Sequence, residues 1–213
     1  MEKITNKYSF GLRFWHWLNV VAISGSLSTV LLNSTLLDQK ANTTSVSKAL
    51  DETGAKLAEQ PAGMVLHGLR EQVWDLHVYA GYLIVVLLAY RLFAGLLERK
   101  DRTLLYKLKL ALTLYHLQKG PIRGKEVAVK FLYFLFYSML LFMAVSGLSL
   151  KFHLELGLSN PLKHNIEEAH GLVMYLILSF ILVHIIGVII AEKTDKPGIV
   201  SHMINGGNVY EQH

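Results

Sequence analysis

Four stretches of the sequence are long and apolar enough to cross a lipid bilayer, and they constrain the fold more than any other feature. Each exceeds the roughly 20 residues that a spanning helix needs; they lie at about residues 14–37, 72–97, 127–150 and 166–191. In a chain of 213 residues, of which 17% are charged, a water-soluble fold would have too little polar surface to cover four such helices. We therefore expect an all-α integral membrane protein, an up-and-down four-helix bundle of one domain, residues 1–213.

The distribution of positive charge predicts how these helices are oriented. Of the 21 Lys and Arg residues, 15 fall on the side that holds both termini and the loop between spans two and three. Cytoplasmic segments carry the excess of Lys and Arg in membrane proteins, so both termini are expected in the cytoplasm. The basic loop 98–130 then faces lipid headgroups, and the net charge of +5 needs no nucleic acid to explain it.

The connections between spans and the tail are less informative than the spans. Residues 38–65 form a polar outer connection, within which 45–59 predicts a short surface helix that Gly54 weakens. Residues 103–118 alternate apolar and basic side chains, which is typical either of an amphipathic helix on the membrane surface or of a solvated loop. The tail, 194–213, contains Pro and Gly and is expected to be irregular.

The chain has no cysteine, which excludes disulfides, Cys-ligated clusters and covalently attached c-type haem.

Four of the ten histidines lie inside the spans, where ionisable side chains are functional candidates. His170 and His184 are 14 residues apart, which is nearly four helical turns and roughly 21 Å of rise. They therefore project from one face of span four at two depths. With the helices running up and down, His16 and His184 lie near the cytoplasmic face (the inner pair), and His77 and His170 lie near the outer face (the outer pair).

Two imidazoles at each of two depths indicate axial ligation of haem iron. A flat porphyrin inserts between the helices of a bundle, and its iron takes one axial ligand from each side. A zinc or copper site would instead need three or four converging ligands. The plainer explanation, a core imidazole bonded to a carbonyl, suits one histidine better than two level pairs. Bis-histidine ligation leaves no open coordination position, so we expect two haem b groups that transfer electrons.

Further residues near the spans have two readings each. Arg13 and Arg91 lie at the cytoplasmic ends of spans one and two, where they would bind the propionates of the inner haem or anchor the helices in the membrane. Gly171, beside a predicted ligand, would make room for the macrocycle or for close helix packing. His67 is a rival outer ligand if the second helix begins early, although its distance of ten residues from His77 turns it about 80° away on an ideal helix.

The sequence resembles the prokaryotic cytochrome b-561 superfamily, which includes the b-type cytochrome subunits of nickel–iron hydrogenases. The segments that carry the resemblance are "RFWHWLNVVAISGSLST" (13–29), "DLHVYAGYLIVVLLAYRLF" (75–93) and "AHGLVMYLILSFILVHIIGVIIAEKTDKPGIVSHMINGG" (169–207). It covers nearly the whole chain except the outer connection. It implies a dihaem b cytochrome of the bacterial cytoplasmic (inner) membrane that exchanges electrons with quinone. By position it carries the ligand roles to His16, His77, His170 and His184.

The leading functional hypothesis is transmembrane electron transfer between the membrane quinone pool and a redox partner. That partner is either a periplasmic or membrane enzyme subunit of the hydrogenase type or a small acceptor. The sequence leaves open whether the chain is itself a quinone oxidoreductase and whether it forms a homodimer. The alternative is a proton or metal-ion transporter that uses the histidines as a relay; transporters usually have broken helices and inverted repeats, and proline is absent from all four predicted spans.

Overall fold

The computed structural model describes residues 4–6, 8–52, 59–97, 109, 113, 121–194 and 197–210. This part of the chain is almost entirely helical. Its helices are α1 (Phe10–Ser34), α2 (Gln39–Glu52), α3 (Glu59–Leu97), α4 (Pro121–Lys151), α5 (Asn160–Lys193) and α6 (Ile199–Asn205). Two three-residue strands, β1 (Ile4–Asn6) and β2 (Asn208–Tyr210), pair antiparallel near the two ends of the chain.

Four of these helices are long and apolar enough to cross a membrane. The candidate spans are Phe10–Ser34 in α1, Gly63–Gly95 in α3, Val127–Lys151 in α4 and Asn160–Lys193 in α5. Large apolar side chains point outward along them; Val86 is 63% exposed and Ile186 is 57% exposed. Such apolar surface is stable in contact with lipid tails, whereas its exposure to water is unfavourable in free energy. The predicted all-α fold class with four membrane helices is therefore confirmed.

Helices α3 and α5 are longer than the hydropathy pattern predicts. Helix α3 begins at Glu59 rather than near residue 72, and its 39 residues would measure about 58 Å, nearly twice the roughly 30 Å of a hydrocarbon core. Helix α5 begins at Asn160, with Pro161 in its first turn, where a missing N–H leaves no hydrogen bond unmade. Both helices therefore extend beyond the lipid into the aqueous phase.

The outer connection is more ordered than its polar composition indicates. Helix α2, Gln39–Glu52, confirms the first part of the predicted surface helix, whereas residues 53–58 lie outside the described residues. Asp38 begins the helix by accepting a hydrogen bond from the backbone N–H of Ala41 at 3.0 Å, the arrangement of an N-cap. The last part of this connection belongs to α3.

The predicted amphipathic segment 103–118 lies outside the described residues except at Lys109 and Thr113. There the Thr113 hydroxyl donates to the Lys109 carbonyl oxygen at 3.0 Å, a bond of one helical turn. The choice between a surface helix and a solvated loop therefore stays open.

The prediction of an irregular tail is wrong. Helix α6 and strand β2 form within it, and glycines with positive φ bracket the helix, Gly198 at 81° and Gly206 at 102°. Glycine takes such angles without a steric penalty, which lets the chain turn sharply into and out of a helix of only seven residues.

The described residues form two compact units, one of Met1–Trp17 with Val85–His213 and the other of Leu18–Ile84. In the first unit, α4 and α5 pack antiparallel after a short connection that turns at Gly157 with φ 60°. The ring of Phe136 stacks on that of Phe180 with centroids 4.8 Å apart. Farther along the same helix pair, Ser146 of α4 is hydrogen-bonded to His170 of α5.

The second unit holds the rest of α1, all of α2 and the first part of α3. Ala22 and Leu66 are buried, 3% exposed each, and the Asn42 amide donates to the Thr35 carbonyl oxygen at 2.7 Å. The prediction that residues 1–213 form a single domain stays a prediction.

Candidate cofactor site

The two histidines of the inner pair face each other in the first unit. His16 comes from the start of α1 and His184 from α5, and their ring centroids are 6.3 Å apart with an interplanar angle of 59°. A first-row metal binds an imidazole nitrogen at about 2 Å, and that nitrogen lies about 1 Å from the ring centroid, so two rings on opposite sides of one metal ion have centroids about 6 Å apart. The separation therefore fits one iron held between the two rings.

Aromatic side chains surround the inner pair. The indole of Trp17 lies edge-on to His16 at 5.4 Å. Phe180 stacks nearly parallel to His184, with centroids 6.1 Å apart and an angle of 7°. Phe136 in turn stacks on Phe180, with centroids 4.8 Å apart. These ring contacts restrict the rotation of both imidazoles, while His16 is half-buried and His184 exposed.

His77, in the second unit, is held by hydroxyl and carbonyl groups of α1. Its Nδ1 lies 3.0 Å from Thr29 Oγ1 and 3.3 Å from the Ser26 carbonyl oxygen. The Thr29 hydroxyl donates its own proton to that same carbonyl at 2.6 Å. Because the hydroxyl proton is used in this way, the Thr29 oxygen accepts from His77 Nδ1–H, and Nε2 is the nitrogen that keeps a lone pair.

His170, in the first unit, has an equivalent anchor on α4. Its Nδ1 lies 2.8 Å from Ser146 Oγ, and the Ser146 hydroxyl donates to the Phe142 carbonyl oxygen at 2.7 Å. Nδ1–H therefore donates to the serine, and Nε2 is again the nitrogen with the lone pair. A Cβ at Gly147 would lie 3.4 Å from His170 Cε1, so the glycine lets the ring approach the α4 backbone closely.

Metal-bound histidines usually donate their second ring N–H to an oxygen, which fixes the tautomer and the ring orientation. His77 and His170 both have this arrangement. Helix α4, which carries no histidine, supplies the anchor for one of them. Sequence reasoning missed Thr29 and Ser146, for which the available signal was a hydroxyl inside an apolar span. His77 belongs to the second unit and His170 to the first, so their pairing stays a prediction.

Both predicted propionate ligands are engaged with the protein. An Arg13 guanidinium nitrogen donates to the Ile204 carbonyl oxygen at 2.6 Å, and Arg91 Nε donates to the Tyr137 hydroxyl at 3.3 Å. Their role toward haem propionates stays a prediction.

Helix α3 does begin early enough to include His67, whose side chain is exposed. The role of His67 as a rival outer ligand stays a prediction.

A cleft of about 270 Å³ opens between α4 and α5 beside the anchor of His170. Its wall is mostly apolar and includes Ser146, while Ser149 and Asn165 supply polar atoms; the other lining residues are Phe142, Val145, Ile166 and Ala169. The cleft is large enough for a small flat ring. One of its lining residues, Ser146, is hydrogen-bonded to the candidate ligand His170.

The donor set fits haem better than a bare metal ion. Across the described ranges, no group of three or more His, Asp or Glu side chains converges as a zinc or transported metal ion would require. Apart from the adjoining residues and the backbone of its own helix, no described atom lies within 4 Å of the position that a Cβ would take at Gly171 or Gly187. No other described helix therefore fills the space at these two glycines, which leaves room for a macrocycle.

Comparisons with known proteins identify the family of the chain. A family model described as prokaryotic cytochrome b561 matches residues 7–206, which include all four candidate histidines and helix α6. No curated protein and no solved structure matches the chain. The family match does not single out the hydrogenase subunits. Because it spans nearly the whole sequence, the chain belongs to the prokaryotic cytochrome b561 family.

Proposed function

We propose that the chain conducts electrons across the bacterial cytoplasmic membrane through two bis-histidine haem b sites and exchanges them with membrane quinone. Membership of the cytochrome b561 family carries the coarser part of this function, namely a multi-pass bacterial membrane protein with b-type haem that takes part in transmembrane electron transfer. The number of haems, their ligands and the quinone are our proposal.

The separation of the inner pair is the observation that supports the proposal most strongly. His16 and His184 lie 6.3 Å apart, centroid to centroid, which suits one metal ion between them. In an apolar helix, two neutral imidazoles without a shared ligand would gain little by facing each other at this distance. Aromatic contacts restrict both rings, Trp17 against His16 and Phe180 against His184.

The outer pair is supported by its hydrogen bonds. Thr29 and Ser146 accept from Nδ1–H of His77 and His170 respectively, so each ring is oriented and Nε2 would be its metal-binding nitrogen. When bound, haem supplies an iron that changes its oxidation state by one electron without a change of ligands. With both axial positions taken by histidine, the protein holds no open position at which oxygen would bind.

Quinone is the proposed partner within the membrane. The cleft between α4 and α5 is mostly apolar, and its lining includes Ser149 and Asn165, as a quinone ring with two carbonyl oxygens requires. A second redox partner in the periplasm or the membrane, either an enzyme subunit or a small acceptor, completes the pathway. In this arrangement the chain acts as a quinone oxidoreductase.

A reduced-minus-oxidised spectrum of the purified protein tests this function. Protein from haem-replete cells, solubilised in detergent and reduced with dithionite, is expected to have low-spin b-type bands and two haems per chain. A short-chain quinol should reduce at least part of this haem without dithionite. A preparation that contains one haem per chain would overturn the two-site proposal, and one that quinol does not reduce would overturn the quinone assignment.

A further inference from the structure

The tail "GIVSHMINGG" is part of the family resemblance, yet none of its residues is a predicted ligand. In the structure, residues 197–210 fold back as helix α6 and strand β2; we name this segment the C-terminal clasp. It contacts the ends of both helices that carry the inner pair, and all these contacts lie within the first unit.

The clasp is tied to α5 through Glu192. The Glu192 carboxylate accepts one hydrogen bond from the backbone N–H of Gly198 at 2.8 Å and another from that of Val200 at 3.1 Å. These donors belong to the start of α6, whose first N–H groups have no partner within the helix. A carboxylate that bonds both of them fixes the direction in which α6 leaves α5.

Glycines keep the clasp compact around the ring of His202. A Cβ at Gly207 would lie 2.6 Å from His202 Cδ2, and one at Gly198 would lie 3.4 Å from His202 Nε2. Both glycines have positive φ, 59° and 81° respectively. A larger residue at either position would therefore be strained and would also displace the ring.

The clasp is tied to α1 through carbonyl groups at the end of α6. The indole N–H of Trp17 donates to the Met203 carbonyl oxygen at 3.2 Å, and Arg13 donates to that of Ile204 at 2.6 Å. Carbonyl groups in the last turn of a helix lack partners within it and carry partial negative charge. The start of α1 is further held where the Tyr8 N–H donates to the Gly206 carbonyl oxygen at 3.3 Å.

These contacts bear directly on the inner pair. His16 lies between Arg13 and Trp17 on α1, and its ring is in edge contact with the indole that the clasp holds. His184 precedes Glu192 by two helical turns on α5. The clasp therefore joins the backbone near one histidine to the backbone near the other, independently of any bound group.

We propose that the C-terminal clasp sets the spacing and ring orientation of His16 relative to His184, with Trp17 and Glu192 as positioning residues. This proposal rests on the proposed function, in which these two histidines hold the inner haem. Hydrogen bonds around metal-bound histidines control ligand orientation and cofactor affinity. Here that control is exerted through the backbone of the tail and one indole.

Full-length holoprotein with Trp17→Phe and Glu192→Gln tests the proposal. His16→Ala first identifies the inner haem as the one that is lost. In both positioning variants we expect the inner haem to be transferred to an excess of apomyoglobin about fivefold faster than in the wild type, the effect of one hydrogen bond. Its low-temperature electron paramagnetic resonance signal, which depends on the orientation of the two imidazole planes, should shift.

Trp74→Phe is the matched control, because Trp74 makes the same edge contact with His77, 5.3 Å between centroids, and belongs to the second unit whereas the clasp belongs to the first. It should leave the inner-haem signal and its rate of loss unchanged. If both positioning variants lower the unfolding temperature and yet keep the inner-haem signal and loss rate of the wild type, the clasp is only structural and the proposal fails. If His16→Ala loses no haem, the proposed function fails instead.

Discussion

The two pairs of histidines are held in different ways. In the outer pair, each imidazole is anchored through its own Nδ1, to Thr29 or to Ser146. In the inner pair, the contacts of the rings are aromatic, Trp17 against His16 and Phe180 against His184. The outer pair is thus oriented by hydrogen bonds to the ligands themselves, and the inner pair by the packing of their neighbours.

This difference has a chemical consequence for the proposed haems. An imidazole that donates Nδ1–H to an oxygen becomes a more basic ligand, and a more basic ligand stabilises ferric over ferrous iron. The hydrogen bonds of the outer pair would therefore lower the potential of a haem that it held, while aromatic contacts would leave ligand basicity nearly unchanged. Two haems of different potential would give the electron a preferred direction. Mutation of the contacts of one pair should change the properties of one haem only, and the two sites can therefore be told apart.

The largest expected effect comes from removing an inner ligand. His16→Ala and His184→Ala should each lower the haem content from two to one per chain, because each removes one of the two ligands that would hold the inner haem. The pyridine haemochrome assay measures the haem, and an amino-acid analysis measures the chain. The two variants should lack the same spectral component, and the double variant should lose no more haem than either single one. If His16→Ala and His77→Ala lacked the same component, the pairing by depth would be wrong.

Removing an outer anchor should have a smaller effect, confined to the other haem. Ser146→Ala and Thr29→Val leave the ligands in place but take away the acceptors of Nδ1–H, which typically costs 10–100-fold in cofactor affinity. The remaining outer haem should titrate at a higher potential in a spectroelectrochemical cell, and both variants should affect the same component although their residues belong to different units.

Ser149→Ala is the control for these anchors, since it lies one turn from Ser146 on α4 and its hydroxyl bonds the Val145 carbonyl oxygen at 2.8 Å. It should change neither the haem affinity nor the potential. An equal effect of Ser149→Ala and Ser146→Ala would mean that the loss reflects α4 packing and not the hydrogen bond to His170.

The spanning helices and the candidate ligands could be predicted from sequence because they depend on simple patterns. Hydropathy over about 20 residues identified all four spans, and the 14-residue spacing on α5 placed two histidines at different depths on one face. The early start of α3 was missed because residues 59–71 are partly polar, and hydropathy reports where lipid ends and not where a helix ends.

The anchors and the clasp could not be predicted, since both depend on tertiary contacts. A serine in an apolar helix usually bonds the carbonyl four residues earlier, as Ser146 also does, and the sequence does not tell which serine meets a histidine as well. A helix of seven residues has almost no stability of its own. Helix α6 forms because Glu192, Trp17 and Arg13 bond its two ends, and these partners are distant in sequence or on another helix.

The smallest expected effect tests whether the inner pair depends on aromatic contacts in general or on Trp17 in particular. Trp15 is buried, stacks on Tyr137 at 6.0 Å, and donates its indole N–H to the Leu87 carbonyl oxygen at 2.8 Å. Trp15→Phe removes one buried hydrogen bond, which typically contributes about 1 kcal/mol, and should lower the midpoint of thermal unfolding by a few degrees in a circular-dichroism melt. Because Trp15 bonds to Leu87 and stacks on Tyr137, neither of which is a candidate ligand, the haem content and both potentials should equal those of the wild type. A shift of the inner-haem potential in this variant as large as that in Trp17→Phe would mean that general packing at the start of α1, and not a specific contact with His16, sets the geometry of the inner pair.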